Sequence, residues 1–443
     1  MTQTETTVRD ALNRDAVTAL SARYSEPDWL LQRRLEAWRA FEAAPMPDPL
    51  SEEWHHSDAT KLTLDGLAPY TPSPDGVDSP QALPSGLRPV WDEDEELAAR
   101  LIQLDSGVVH RSLNDELSGK GVIVTDLHTA VREQEEIVRQ RLHTAVMPDE
   151  WKYLGLHGAL WSGGCFVYVP QGVEVELPVK YAVAMATPGA ALFPHLLIVA
   201  EPNSSVTVIQ EGVSTGSGGL VSGAVEVHAA QGAHVRFVDV QRWDSGVQNF
   251  STMRALLDKD ASFQGILLGL GGEMTKVRLD VRMNGEGSNT ELLGLFFGDG
   301  DQTFDYYTRQ DHIAPRTESD LLFKSVMTDR AAMAWNGVVD VQKTASQSAA
   351  NQTSRNLLLS DKASAAPTPI LEIAAYDVAR CSHGATVGPV DEEQIFYMQT
   401  RGIAPDEAKE LLVDGFFAEV LERVPSQRLQ KRVRAVLDSK LGR

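Results

Sequence analysis

Residues 203–208 read NSSVTV, and three later stretches follow the same plan: GAHVRF at 232–237, DASFQG at 260–265 and GSNTEL at 287–292. Each opens on small or polar turn residues and runs into alternating apolar and polar side chains. They follow one another at roughly 27–29 residues, and RAAMAW (330–335) and KASAAP (362–367) read as later, less regular copies. A unit of this length is too short for a helical crossover and holds two or three strands. Stacking such units buries a continuous core that no single unit could bury, which points to a solenoid. The alternation extends well beyond the turns, in VEVEL (173–177), LLIVA (196–200), VEVHA (225–229), VRFVDV (235–240) and KVRLDVRM (276–283). A period of two marks strands with one face buried. Helix-period segments are largely missing across this region, which excludes a doubly wound α/β fold. A β-helix fits best. The alternative, a β-sandwich, needs antiparallel hairpins with Asn-Gly or Asp-Gly turns, and these are sparse.

Helical patterns flank the repeats. In SEPDWLLQRRLEAWRAFEA, Ser25 reads as an N-cap, with Leu31, Leu35, Trp38 and Phe41 recurring at helical spacing until PMPDP (45–49) stops the run. Residues 67–90 are rich in Pro, Ser and Gly and read as an extended, surface-hugging or poorly ordered connection. TDLHTAVREQEEIVRQRL (125–142) reads as a further helix. Towards the end, 391–402, 404–424 and 426–441 read as three helices. Leu412, Phe416 and Val420 form the stripe of the second, and Leu429, Val433 and Val436 that of the third. The expected division is a helical N-terminal region with its Pro-rich connection (1–155), a β-helix core (156–375) and a helical C-terminal region (376–443). The bland reading of the last is a solenoid cap, and the sharper one a docking surface.

The 443 residues are 42% hydrophobic, enough for a sizeable core, and the formal net charge is −22. Such a surface repels nucleic acid and anionic lipid, so neither is an expected partner. The two cysteines cannot form a disulfide framework and fit a reducing compartment. MTQTETTVRDALNRD has no apolar signal-peptide core, and no apolar run is long enough to span a bilayer. The expectation is a cytoplasmic protein.

Catalytic motifs are sparse. There is no Walker A sequence. LGLGGEMTK (268–276) is Gly-rich but leads into the strand pattern KVRLDV, so it lacks the helix N-terminus that would hold a phosphate. STGSGG (214–219) is an ordinary loop. No nucleophile elbow or HExxH helix occurs. Enzymes acting on acidic polysaccharides share the β-helix class, but they need a basic face, and acidic residues predominate here. Cys165 shares its strand face with Val167 and Val169 and is expected to be buried and inert. His312 stands apart from other ligand types and reads as a satisfied polar residue. Cys381 and His383, in ARCSHGATVG (379–388), differ. In an extended segment residues i and i+2 face the same side, so a thiolate and an imidazole could approach one metal together. Clusters and structural zinc take four ligands, and no second pair of this kind exists in the chain. A metal role for this pair therefore implies an open or shared site.

CSHGATVGPVDEEQIFYMQTRGI (381–403) resembles the C-terminal signature of the SufB/SufD family of the SUF iron–sulfur cluster assembly machinery, on its SufD side. EPDWLLQRRLEAW, LWSGGCFVYVPQGVEVELP and TPILEIAAYDVARCSHGAT agree in the same order. The resemblance implies a mainly β fold, a right-handed parallel β-helix core with N-terminal and C-terminal α-helical regions. It implies a SufB-like scaffold partner and a SufC-like ATPase docked on the C-terminal helices, with a homodimer possible when SufB is absent. ATP would be bound by the ATPase and no nucleotide by this chain, which is not itself an enzyme. The chain would be a non-catalytic subunit that helps to form and transfer nascent clusters. Cys381 and His383 would be candidate metal ligands of a transient Fe–S cluster shared with SufB. Whether a flavin binds the complex is left open. Where SufB carries EHEAT this chain has CSHGAT, and Ser354 in NQTSRNLLLS (351–360) stands nearest the sulfur-accepting cysteine of SufB. A hydroxyl is a poor persulfide carrier, which favours SufD over the alternative of a SufB-like paralogue. The other alternative is the polysaccharide-active enzyme.

Overall fold

The computed structural model describes residues 12–442 apart from 52–53, 55, 58–63, 65, 75, 92–95 and 217. The polar stretch read as lacking a signal peptide lies mostly outside them. Two long sheets share a parallel β-solenoid of about eight turns. The first sheet stacks β2 (Gly107–Leu113), β1 (Ala99–Leu104), β5 (Val179–Met185), β8 (Ser205–Ser214), β11 (His234–Arg242), β13 (Ser262–Gly269), β15 (Asn289–Gly298), β17 (Glu318–Met327), β19 (Ala349–Leu358) and β21 (Arg380–Pro389). The second stacks β3 (Ile123–Asp126), β4 (Cys165–Val169), β7 (His195–Ala200), β10 (Ala224–Ala229), β12 (Val247–Leu257), β14 (Met274–Met283), β16 (Thr303–His312), β18 (Ala332–Val341) and β20 (Ser364–Ile373). Short strand β9 (Gly219–Val221) runs beside β12, and β6 (Ala191–Leu192) runs beside β9. Each full coil gives one strand to each sheet, and every ladder between coils is parallel. Among the described residues antiparallel pairing is confined to β1–β2 and β3–β4 at the N-terminal end, so the sandwich alternative does not hold.

The turn signature that opened the reading has a backbone cause. Asn203, Gly232, Asp260, Gly287, Arg316 and Gln347 occupy one corner of successive coils, all with φ of 55–74°. This left-handed region favours Gly, Asn and Asp. Each of these residues donates its N–H to a carbonyl in the next coil: Gln231, Lys259, Glu286, Pro315, Ser346 and Asp377 in turn. The corner is thus a stacked hydrogen-bonded ladder. RAAMAW and KASAAP belong to a different corner, since they lead into β18 and β20 of the second sheet. The later turns of the first ladder are carried by Arg316 and Gln347, residue types that do not look like turn formers. Gly232→Ala is expected to cost about 1–2 kcal/mol from the left-handed backbone alone. Gly232→Asn should cost less. Urea unfolding of the two variants checks the order.

Inside the coils, Val208, Phe237, Phe263, Leu292, Phe323 and Trp335 belong to one continuous apolar core. Cys165 lies in it with Val167 and Val169, fully buried, and burial pushes its thiol pKa far up.

The region read as N-terminal and helical also contains β1–β3, which extend both sheets. Its helices are α1 (Arg14–Arg23), α2 (Asp28–Ala43), α3 (Asp115–Gly119), α4 (Leu127–Glu133), α5 (Glu135–Arg141) and α6 (Lys152–Leu160). Ser25 is not the cap of α2. It sits at φ 49°, and Pro27 holds the N-cap position. The fully covered positions of α2 are Leu30, Arg34, Ala37 and Trp38, while Leu31, Leu35 and Phe41 are half-buried. A charged residue takes a core position because Glu26 grips Arg34 through two bonds (2.7 and 2.8 Å), Ala159 accepts a third at 3.1 Å, and Trp161 lies under its guanidinium. The helix expected over 125–142 is broken at Gln134. The Pro-rich connection is packed rather than loose, with Val77, Leu83, Leu87, Val90 and Trp91 buried against Ile102, Val109 and Ala182.

At the other end come α7 (Glu392–Thr400), α8 (Pro405–Leu421) and α9 (Gln427–Lys440). β21 lies beyond the 375/376 boundary, so the last strand of the solenoid had been assigned to the helices. Gly384 and Gly388 hide its strand pattern. α8 and α9 fold back on the outer face of the first sheet. Val413, Phe417, Val420, Leu429, Val433 and Leu437 pack on Val238, Leu268, Leu295, Phe297 and Val326. Relative to the expected stripes, Leu412, Phe416 and Val436 are half-buried. Arg432 reaches the fully buried Glu211 at 3.1 Å, and Lys440 reaches Asp299 at 2.7 Å.

Buried carboxylates set part of the expected acid response, Glu211 and Glu26 among them. Burial alone would raise Glu211 and Glu26. Lys180, Arg432 and Arg242 around the first, and Arg34 and His128 around the second, instead hold both at about 2, against an ordinary 4.5. A depressed carboxylate stabilises the fold above its unfolded value and loses that contribution as pH falls, here between about 4.5 and 2. Between pH 6.5 and 4.5 the buried histidines add to this loss. Burial lowers His110, His128, His143, His157, His228 and His312, so each gains a proton on unfolding and its contribution falls away below pH 6.5. Burial raises Asp239 to about 7 and also raises Asp311, which opposes the loss in part. The unfolding midpoint should therefore fall from about pH 6.5 downward and keep falling below 4.5. A midpoint that stays flat between pH 6.5 and 4.5 would contradict this assignment.

Candidate functional site at the open terminal coil

The apolar filling of the solenoid ends before the strands do. In register across the first sheet, Leu321 and Phe323 of β17 lie beside Gln352 and Ser354 of β19, and these beside His383 and Ala385 of β21. The inward row thus changes from hydrocarbon to amide and hydroxyl over a single coil. Gln352 donates to Gln310 of the opposite sheet at 2.7 Å, and its own Oε1 is buried without a partner directly beneath His383. Asn356 donates to Ser354 Oγ at 3.1 Å and to the carbonyl of Thr386 at 3.0 Å.

Cys381 and His383 are both on this inward row. Cys381 packs against Val339, Val341, Ala345 and Ala350, whereas Ser382 faces the other way and bonds Asn351 at 2.8 Å. Among the described residues no further coil covers them. β21 ends the first sheet and β20 the second, and His383 through Val387 are exposed. Ser354 pairs with Ala385, two residues from His383, so it lies on the same row one coil back. Burial raises the Cys381 thiol, and no cation counters it. In the isolated chain it is a protonated thiol, which an incoming cation would have to deprotonate.

The two open edges differ. β20 carries Pro367 and Pro369, which cannot donate to a ladder and are the usual blunting of an edge strand. β21 has no proline before Pro389, so its free edge keeps its N–H groups. Exposed apolar side chains surround this end, with Tyr376 almost wholly exposed and Ile373 and Val387 partly so.

The remaining sequence candidates fall elsewhere. His312 is buried, its ring nitrogens 2.8 Å from Thr317 Oγ1 and 2.8 Å from Ser319 Oγ. The Gly-rich 268–276 stretch runs from β13 straight into β14. A groove on the first sheet is lined by Glu174, Glu176 and Glu291 against Arg236 and His234, not the basic face a polysaccharide-active enzyme requires. No helix among the described residues is long and apolar enough to cross a membrane.

Fold and site together define a helix-flanked parallel β-solenoid whose terminal coil is left open and bears a thiol and an imidazole. Residues 183–416 match the family described as SUF system FeS cluster assembly, SufBD core domain. The chain belongs to this SufBD family. It is 33% identical over 438 residues to the iron–sulfur cluster assembly protein SufD of Bacillus subtilis, covering 97% of this chain and 98% of that one. It is 29% identical to a SufBD family protein of Staphylococcus saprophyticus, covering 94% and 90% of the two chains. With SufB of Bacillus subtilis the identity is 28% over the same shares.

Proposed function

We propose that the chain is a SufD-type, non-catalytic subunit of a SUF assembly scaffold. It pairs through its open terminal coil with a SufB-like subunit and carries a SufC-like ATPase on its C-terminal helices. Cys381 and His383 supply one side of a transient iron–sulfur cluster, which is cargo rather than a resident cofactor. The observation that carries this reading is their position on the last strand, whose outer edge is free, facing an uncovered polar interior. Two ligands are too few to hold a cluster, and a coil left open is where a second subunit can add the others. Strand addition at the free edge of β21 would satisfy its backbone groups. A SufB-like partner would provide the sulfur-accepting thiol that Ser354 does not.

The ATPase is assigned to the outer side of the C-terminal helices. Phe396 and Tyr397 of α7 and Leu411 of α8 are exposed there, while the opposite faces of α8 and α9 are committed to the solenoid. The two interfaces can be separated by co-expression with SufB-like and SufC-like subunits. Val387→Lys, on the edge strand, is expected to lose the SufB-like subunit and keep the ATPase. Phe396→Asp with Tyr397→Asp is expected to do the reverse. Co-purification of both partners, unchanged in both variants, would overturn the assignment.

A further inference from the structure

We infer that His143, His195 and Glu226 form a site for a divalent transition-metal ion near the N-terminal end of the solenoid. It stands independently of the function proposed above and shares no residue with the Cys381–His383 pair.

Glu226 leaves β10 beneath the turn that follows α5. Its carboxylate accepts the N–H groups of His143, Thr144, Ala145 and Val146 at 2.7–3.1 Å. Those bonds fix it in place as an anion. On the neighbouring strand β7, His195 is fully buried and sets Nε2 2.9 Å from Glu226 Oε1. Its Nδ1 is 3.0 Å from Nε2 of His157 on α6, whose Nδ1 is 2.6 Å from the Ser222 carbonyl.

Hydrogen counting along this chain of contacts is informative. The Ser222 carbonyl can only accept, so His157 Nδ1 donates. Three contacts in a row need three hydrogens, and two neutral imidazoles carry two. One extra positive centre, a proton or a metal ion, must therefore sit in the chain. With His157 neutral, His195 Nδ1 donates to His157, and the vacant place lies between His195 Nε2 and Glu226 Oε1.

His143 joins at that place. Its ring stands at 89° to that of His195 with centroids 5.0 Å apart, and its Nε2 is buried with no hydrogen-bond partner. The ligand atoms of the three residues lie within 4.8 Å of one another. Two imidazoles and a carboxylate suit zinc(II) or iron(II), at about 2.0–2.2 Å per bond. Adjacent ligands at that radius stand roughly 3 Å apart, as His195 Nε2 and Glu226 Oε1 already do. The bond from His195 Nδ1–H to His157 holds the ring with its other nitrogen free, the usual support of a metal-ligating histidine. A pocket of about 450 Å³ lined by Arg33, Glu36, His143, Met147 and Asp149 lies on the solvent side of His143. Binding would exchange one proton for one metal ion.

The test uses the untagged full-length chain carrying Cys381→Ala and His383→Ala, stripped with chelator, so that the terminal coil contributes nothing. Cobalt(II) is titrated in and its visible d–d absorption followed. One equivalent should bind, be displaced by zinc(II), and bind about 10–100-fold more weakly in His143→Asn. Asparagine tolerates the left-handed backbone of position 143 (φ 58°), and the His143 ring nitrogen Nε2 makes no hydrogen bond that the fold would lose. Should that variant still misfold, the folded parent is read by paramagnetically shifted proton NMR, where resonances from two coordinated imidazoles are expected. No cobalt band, equal affinity in His143→Asn, or no shifted imidazole resonances would overturn the site.

Discussion

Glu211→Gln is expected to destabilise the protein by about 3–5 kcal/mol, the cost of breaking a buried ion pair by removing one partner. Glu211 is fully buried and binds Arg242 at 2.6 Å, Arg432 at 3.1 Å and the equally buried Lys180 at 3.3 Å. Glutamine keeps the shape but removes the charge that these cations face inside the protein. Arg432 is the reach of α9 to the solenoid, so the loss should appear first as release of the C-terminal helices. Hydrogen exchange should show residues 427–440 opening before the sheets do, and urea unfolding gives the total. A loss below about 1 kcal/mol would mean that the charges are solvated after all.

Trp335→Ala is expected to cost a similar amount, about 3–5 kcal/mol, through the cavity left by a large buried aromatic. Trp335 lies in the solenoid core, donates Nε1–H to Thr308 Oγ1 at 3.0 Å, and contacts Phe323 with ring centroids 5.8 Å apart. Its ring occupies the space over Gly337, where an added Cβ would collide with Cζ2. Because coils stabilise mainly their neighbours, the damage should concentrate in β16–β21 and leave β8–β12 protected. Uniform loss of protection along the solenoid would contradict the coil-by-coil picture. Gly337→Ala should reproduce part of the effect from the opposite side of the same contact.

Much of the solenoid was legible because its corner repeats a backbone requirement. Asn203, Gly232, Asp260 and Gly287 are residue types that suit a positive φ, so the sequence announces the turn. Arg316 and Gln347 meet the same requirement with unsuited types, which is why the later register was assigned to the wrong corner. The alternation in CFVYV placed Cys165 inside the core correctly. The same rule does not foresee the burial of Glu226: in VEVHA it falls on the outward face, which in an uncovered sheet would be solvent. The N-terminal region covers that face, and no local pattern records such coverage. His195 and Glu226 meet across paired strands β7 and β10, and His143 and His157 join them only through this docking on the second sheet, so their spacing carries no motif. Cys381 and His383 were legible as a same-side pair. The openness of their coil was not, because the sequence does not mark where stacking stops.

The central claim is that Cys381 and His383 form one half of a shared cluster site. It is tested most directly by iron and acid-labile sulfide content of the complex co-expressed with its SufB-like and SufC-like partners, comparing the native chain with His383→Ala. His383 is exposed and its substitution leaves the packed coils intact, so the complex should still assemble. Cluster content and transfer to an acceptor protein should fall by roughly tenfold or more, as expected when a metal ligand is removed. Undiminished iron and sulfide with normal transfer, in an assembled complex, would contradict the account.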